Sequence, residues 1–130
     1  MDAELSRLTG TGSLARPDGD TDLSALPFNP HPRFAGVALR HLITSADTGG
    51  AMSAHLVRIA AGAELSSHTH EASLELHEVL RGAGRCTLGD RETAYLPGTC
   101  GLIPAGLAHS VRADAGEDLY ILATFAPALL

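Results

Sequence analysis

The stretch that decides the fold runs from Gly62 to Gly82 and reads GAELSSHTHEASLELHEVLRG. His68 and His70 are two residues apart, so on an extended chain both imidazoles lie on the same face. Glu75 begins the next apolar run, and a turn before it brings its carboxylate back toward the two histidines. Imidazole and carboxylate are both ligands of divalent transition metals. The stretch therefore predicts a metal site formed by an extended segment with the two histidines and by the strand that Glu75 begins.

A second stretch runs from Gly98 to His109 and reads GTCGLIPAGLAH. Pro104 and Gly106 mark a turn, because proline fixes one backbone angle and glycine permits the left-handed region. His109 follows this turn at the start of a later strand. It is therefore a candidate for a fourth ligand, supplied from across a barrel.

The two stretches resemble the two sequence motifs of the cupin superfamily. The first motif, G-x5-H-x-H-x4-E-x6-G, is matched without a spacing error at Gly62, His68, His70, Glu75 and Gly82. The second motif, G-x5-P-x-G-x2-H-x3-N, is matched at Gly98, Pro104, Gly106 and His109. The family's asparagine falls at position 113, which is Ala113 here. That asparagine is usually structural in the family, so its absence leaves the metal expectation in place.

The resemblance implies a small single-domain cupin of the conserved-barrel type. Such a chain is all-β and folds as a double-stranded β-helix, or jelly-roll barrel. The sequence pattern agrees, because short alternating or β-branched runs are separated by glycine and proline. The predicted strands lie at residues 33–43, 51–60, 74–81, 84–88, 91–96, 100–103, 109–112 and 119–125. Between two of them, Gly89 and Asp90 predict a hairpin turn.

The N-terminal part of the chain has a different texture. Residues 1–27 are rich in Gly, Thr, Asp and Ser, and we interpret them as an irregular arm that precedes the barrel at residues 28–130. A short helix is predicted from Asp2 to Leu8. Whether the arm is a flexible tail or an extension that packs on a partner subunit is left open.

The resemblance further implies one divalent transition metal, held by His68, His70, Glu75 and His109. Fe, Mn, Ni, Zn and Cu all accept three imidazoles and one carboxylate, so the identity of the ion is left open. Four protein ligands at an octahedral ion leave two positions for water, dioxygen or a chelating substrate. Glu78 competes with Glu75 as the ligand, but it lies three residues on and is expected to face the opposite side of the strand.

His77 distinguishes this sequence within the family, because relatives commonly carry a large apolar or aromatic side chain there. It lies two residues after Glu75 and is expected to point into the barrel beside the metal. One interpretation is a core histidine bonded to backbone; the other is a residue that orients a ligand or acts as a general acid or base. We name His77 as the candidate catalytic residue. His55 is expected to face inward by alternation, whereas His31 and His41 receive no role.

Composition excludes several functions. The net charge is -6, all nine basic residues are arginine, and no basic cluster carries interleaved aromatics, so a nucleic-acid partner is not expected. The absence of lysine excludes Schiff-base chemistry. Cys86 and Cys100 match no disulfide framework and are expected to be reduced. With no signal-like N-terminus and no apolar run of membrane length, we expect a cytoplasmic protein with no membrane partner.

The last predicted strand is apolar on both faces and therefore needs two covers. One is the barrel core. The other is a second subunit, which makes a homodimer the expectation, although a helix or the N-terminal arm serves the same purpose.

For function, the first hypothesis is a metal-dependent enzyme that acts on a small organic molecule. Oxidation by dioxygen is the first reaction class, and isomerase or lyase chemistry is the second. The alternatives are a non-catalytic small-molecule binding or sensor module, and a barrel whose metal only stabilises the fold. Aromatic residues are 4% of the chain and tryptophan is absent, which disfavours large planar ligands. Tyr95, Tyr120 and Phe125 are candidates for the pocket wall, but the sequence does not orient them.

Overall fold

Twelve strands account for most of the regular structure in residues 10–130, the part of the chain that the computed structural model describes. A short hairpin comes first, formed by β1 (Ser13–Leu14) and β2 (Thr21–Asp22), and a 3-10 turn at Leu23–Ala25 follows it. The strands of the barrel are β3 (Asn29–Pro30), β4 (Val37–Ile43), β5 (Ser53–Ile59), β6 (Glu64–His68), β7 (Leu74–Arg81), β8 (Gly84–Leu88), β9 (Arg91–Tyr95), β10 (Cys100–Ile103), β11 (His109–Ala113) and β12 (Leu119–Ala126). One short helix, α1 (Ser45–Thr48), joins β4 to β5.

The barrel is built from two antiparallel sheets that face each other. The larger has the strand order β10-β7-β12-β5-β4-β3, and the smaller has the order β6-β11-β8-β9. From β5 onward the chain passes back and forth between the two sheets, so residues distant in sequence meet inside the barrel. The predicted all-β jelly-roll fold is therefore confirmed.

Strand boundaries follow the alternation of buried and exposed side chains. Strands β7, β8 and β10 begin and end at the predicted residues. The turn at Gly89–Asp90 is also present, and Gly89 supplies there a φ of 63° that a two-residue hairpin requires. Strand β6 was not among the predicted strands, because its sequence ELSSH has only one apolar residue and shows no alternation.

Within residues 10–27 the N-terminal region contains a short hairpin and contacts the barrel. Leu23 is buried, and the Arg40 side chain of β4 donates a hydrogen bond to the carbonyl of Gly10. The guanidinium groups of Arg40 and Arg58 lie over the Phe28 ring, 4.4 and 4.3 Å from its centre. The helix predicted at Asp2–Leu8 lies outside the described residues. The division into an arm and a barrel at residue 28 stays a prediction.

The core lies between the two sheets, and β12 shows how it is filled. Its residues Leu119, Ile121, Ala123 and Phe125 are buried inside the barrel, and the alternate residues are half-buried on the outside. Neighbouring strands expose three leucines on that outer face: Leu74, Leu76 and Leu102. The predicted homodimer stays a prediction. Among residues 10–130, no helix has the length and apolar character that crossing a membrane requires.

Two glycines of the sequence motifs have similar backbone conformations but different surroundings. Gly82 and Gly98 have nearly equal positive φ values, 86° and 90°. A Cβ on Gly82 would lie 2.2 Å from the carbonyl oxygen of Asp118, whereas a Cβ on Gly98 meets nothing within 4 Å. Gly98→Ala therefore adds only backbone strain, of about 1–3 kcal/mol. Gly82→Ala adds the same strain and also forces two backbones apart.

We expect Gly82→Ala to lower the free energy of unfolding by at least about 1–3 kcal/mol more than Gly98→Ala does, the usual range for overpacking. Urea unfolding of both variants beside the wild type measures the difference. Equal losses in the two variants would mean that the contact with Asp118 relaxes freely.

Candidate metal centre

Three histidines converge inside the barrel. His68 ends β6 and His109 begins β11, and the two residues are direct cross-strand partners. His70 lies two residues beyond His68, in a loop whose carbonyl at His70 accepts a hydrogen bond from the backbone N–H of Gly106. One ring nitrogen from each histidine lies within 4.8 Å of the other two. The turn of the second motif thus holds the loop of the first, and the three imidazoles form a triad.

Backbone carbonyls fix the orientation of two of these rings. The Nδ1 of His68 lies 2.7 Å from the carbonyl oxygen of Ser66, and the Nδ1 of His109 lies 2.9 Å from that of Leu107. Because a carbonyl oxygen only accepts, each Nδ1 carries the proton, and the Nε2 of the neutral ring presents a lone pair. This is the usual arrangement of a histidine that ligates a metal through Nε2.

Glu75 reaches the triad from the opposite sheet. It lies on β7 with 3% of its surface exposed, and its Oε1 is 3.1 Å from Nε2 of His109 and 3.7 Å from Nε2 of His70. Burial acts to raise the pKa of the Glu75 carboxyl, but the nearby imidazole of His109 and the hydrogen bond from His77 hold that pKa at about 2. Glu75 is therefore a carboxylate at neutral pH.

Two buried atoms at this point lack a partner. Neither Oε1 of Glu75 nor Nε2 of His109 has a hydrogen-bond partner among residues 10–130. Two ligands that bind one octahedral ion at right angles, each about 2.1 Å from it, lie about 3 Å apart. The 3.1 Å separation fits that requirement. The residues present thus fit a metal ion of the kind that the motifs predict.

The other predicted residues fall where alternation placed them. His77 points inward and is buried, but its partners are side chains: Nε2 lies 2.7 Å from Oε2 of Glu75, and Nδ1 lies 2.9 Å from the hydroxyl of Tyr95. Glu78 lines a shallow groove on the outer face of the sheet, away from the triad. The partnership with Tyr95 was not predicted, because the sequence does not show which way this tyrosine points.

A second pair of histidines lies further along the interior. His55 is fully buried, and its Nδ1 lies 2.8 Å from Nδ1 of His41, its cross-strand neighbour. Its Nε2 contacts Ser53, whose hydroxyl accepts a hydrogen bond from the backbone N–H of Leu129. His55 thus faces inward as expected. Burial, with the neighbouring His41, lowers the pKa of His55 to about 4.

A cavity of about 60 Å³ adjoins the triad. This volume corresponds to about two water molecules or a molecule of similar size. The polar part of the cavity wall is formed by His31, His68, His70, Glu75 and His77, and the remaining walls are apolar. They are formed by Val37, Leu39, Val57, Leu65, Ile121, Ala123, Phe125 and Leu129.

The fold and this centre together define a class of protein: a small double-sheeted barrel with a histidine triad and a buried carboxylate between its sheets. A family model described as a cupin domain matches residues 55–125, which is more than half of the chain. The protein belongs to the cupin family, and the resemblance in the motifs is confirmed.

Solved structures of similar fold include proteins of different kinds. A predicted oxalate decarboxylase from Thermotoga maritima has 21% identity and a TM-score of 0.73, over 81% of this chain and 96% of that one. The polyketide cyclase RemF from Streptomyces resistomycificus has 20% identity and a TM-score of 0.72, over 87% and 79%. A cupin 2 conserved barrel domain protein from Rhodopseudomonas palustris has the same identity and TM-score, over 91% and 81%. Among curated protein sequences no match is found.

The histidines make the metal-free fold sensitive to acid. Burial lowers the pKa of His55 and of His68 to about 4, and it also lowers those of His70 and His31. In the unfolded chain these groups bind protons near their ordinary pKa of 6.5. Below that pH the unfolded state therefore binds more protons than the folded state does. The pKa of His109 is raised despite its burial, because of Glu75. Protonation of His109 therefore has the opposite effect on stability. The free energy of unfolding therefore decreases as the pH is lowered from 6.5 to 4.

We expect the urea midpoint of chelator-treated protein to decrease steadily across this pH range. The variant His55→Asn is the control, because it removes one of the two histidines whose pKa is lowered to about 4 and should flatten the curve. A midpoint that is constant from pH 6.5 to 4 in the wild type would contradict the assignment of these histidines as neutral.

Proposed function

We propose that the protein is a metal-dependent enzyme that acts on a small organic molecule. One observation carries the metal in this proposal: Oε1 of Glu75 and Nε2 of His109 are buried, face each other at 3.1 Å beside the other two histidines, and have no hydrogen-bond partner among the described residues. Leaving buried polar atoms unpaired costs about 1–3 kcal/mol each. A bound cation removes that cost.

The metal would be held through the imidazoles of the triad and the carboxylate of Glu75. This donor set suits Fe, Mn, Ni, Zn or Cu. When bound, the ion supplies Lewis-acid chemistry or a centre for dioxygen. Oxidation by dioxygen is the first reaction class to test, and isomerase or lyase chemistry is the second.

The chain's own side chains define what the substrate meets. The apolar walls of the cavity exclude water and suit the hydrocarbon part of a ligand. A volume of about 60 Å³ limits that part to a few non-hydrogen atoms unless the cavity expands. A polar head on the same ligand would then lie at the triad. We infer a small, mostly aliphatic substrate with one chelating group.

The alternative is a non-catalytic binding or sensor module with a metal-bound barrel. The position of His77 favours it, because both ring nitrogens already have partners in Glu75 and Tyr95. A general acid or base needs a nitrogen within reach of the substrate. His77 is better placed to orient Glu75 than to exchange protons with a ligand.

The structural neighbours do not choose between these functions. One is described as a predicted oxalate decarboxylase and another as a polyketide cyclase. A shared fold does not imply a shared reaction, so the choice depends on the centre and the cavity.

Metal content is the first test. Protein purified without a tag or chelator should carry about one equivalent of one transition metal, measured by plasma mass spectrometry. The variant His68→Ala/His70→Ala should carry none, because two of the four donors are gone. The matched control His31→Ala/His41→Ala removes two histidines outside the triad and should keep the metal. Wild-type protein that holds no metal after incubation with each candidate ion would refute the centre.

Turnover separates the enzyme from the binding module. The loaded protein is incubated with a panel of short aliphatic hydroxy acids, keto acids and thiols, while oxygen uptake and product formation are followed. An enzyme converts at least one compound and loses that conversion in Glu75→Gln. Saturable binding with no product for any compound that binds would instead identify a binding module.

A further inference from the structure

Tyr95 links the two sheets at the metal centre. It is the last residue of β9 in the smaller sheet, it is fully buried, and its side chain reaches across the interior to His77 on β7 of the larger sheet. The distance from its hydroxyl oxygen to Nδ1 of His77 is 2.9 Å. A chain of hydrogen bonds thus runs from Tyr95 through His77 to Glu75.

The proton positions along this chain follow from its ends. The Glu75 carboxylate only accepts, so Nε2 of His77 carries a proton and donates it to Oε2 at 2.7 Å. In a neutral imidazole Nδ1 then has the lone pair. With His77 in this tautomer, the Tyr95 hydroxyl is the donor of the hydrogen bond to Nδ1. Burial raises the pKa of the Tyr95 phenol far above its usual range, so the phenol keeps its proton to donate.

A glycine makes room for the hydroxyl. Gly101 on β10 is the cross-strand partner of His77. A Cβ at Gly101 would lie 2.0 Å from the hydroxyl oxygen of Tyr95 and 3.0 Å from its ring carbon Cζ. Real Cβ atoms do not approach that closely. The space opposite His77 is thus occupied by the phenol, and a side chain at 101 would displace it.

We propose that Tyr95 is a positioning residue for the metal centre. By holding His77 in the tautomer that donates from Nε2, it fixes Oε2 of Glu75 and leaves Oε1 aimed at the triad. The inference rests on the proposed metal-dependent function. It assigns Tyr95 an effect on the metal without contact to it, as hydrogen-bonded partners of ligands have in other metal sites.

The first test compares Tyr95→Phe with wild type. Phenylalanine keeps the ring beside Gly101 and removes only the hydroxyl. Affinity for Zn²⁺ alone is measured by competition with a chelating dye, on protein shown to be folded. We expect a 10- to 100-fold weaker affinity, the usual effect of losing such a partner. The matched control Tyr120→Phe changes the other tyrosine, which lies half-buried on the outer face of β12. Its affinity for Zn²⁺ should equal that of the wild type.

An affinity of Tyr95→Phe within twofold of wild type would overturn the positioning role. A loss of equal size in Tyr120→Phe would show that the effect is general destabilisation, and would also overturn it.

The second test reads the tautomer and needs no variant of Tyr95. In metal-free, ¹⁵N-labelled wild type, long-range proton–nitrogen spectra should show His77 protonated at Nε2 and unprotonated at Nδ1. The His77 signals are assigned by their loss in His77→Gln. A proton on Nδ1 would overturn the proposal. Wild type that binds none of the candidate ions would refute the metal function instead, and this spectrum would still decide whether Tyr95 orients His77.

Discussion

The burial of the Glu75 carboxylate is the constraint on which the rest of the centre depends. An ionised carboxylate with 3% exposure is costly in a protein interior unless other groups compensate it. One oxygen receives a hydrogen bond from His77, and the other faces His109 and His70. The surrounding positions therefore serve a single requirement, which is to keep one negative charge in an apolar barrel. The apolar walls of the adjoining cavity strengthen every interaction of that charge.

The centre also joins the two sheets. Glu75 and His77 belong to the larger sheet, whereas His68, His109 and Tyr95 belong to the smaller one. Their contacts cross the interior where most of the other contacts are apolar and non-directional. Hydrogen bonds have preferred directions, so they fix the relative position of the sheets more narrowly than packing does. The positions of the candidate ligands and the packing of the two sheets are thus coupled, so a change in one alters the other.

Much of the fold and the triad could be predicted because the signals are local. Alternation along β7 placed Glu75 and His77 inside and Glu78 outside, and motif spacing brought His109 to His68. Strand β6 escaped prediction because its polar sequence has no alternation. The partner of His77 escaped for another reason: Tyr95 reaches it only because position 101, on a third strand, is glycine. No pattern along one strand contains such an arrangement. The metal, the reaction and the dimer stay predictions.

The contact between Tyr95 and His77 has an optical consequence. The chain has no tryptophan and only two tyrosines, so no energy transfer to indole masks the emission of tyrosine. One emitter is fully buried with its hydroxyl on an imidazole of the centre, and the other lies on the outer face of the barrel. Changes at the centre alter the surroundings of the first and not of the second. The tyrosine emission of this protein therefore combines one residue that contacts the candidate metal centre with one that does not.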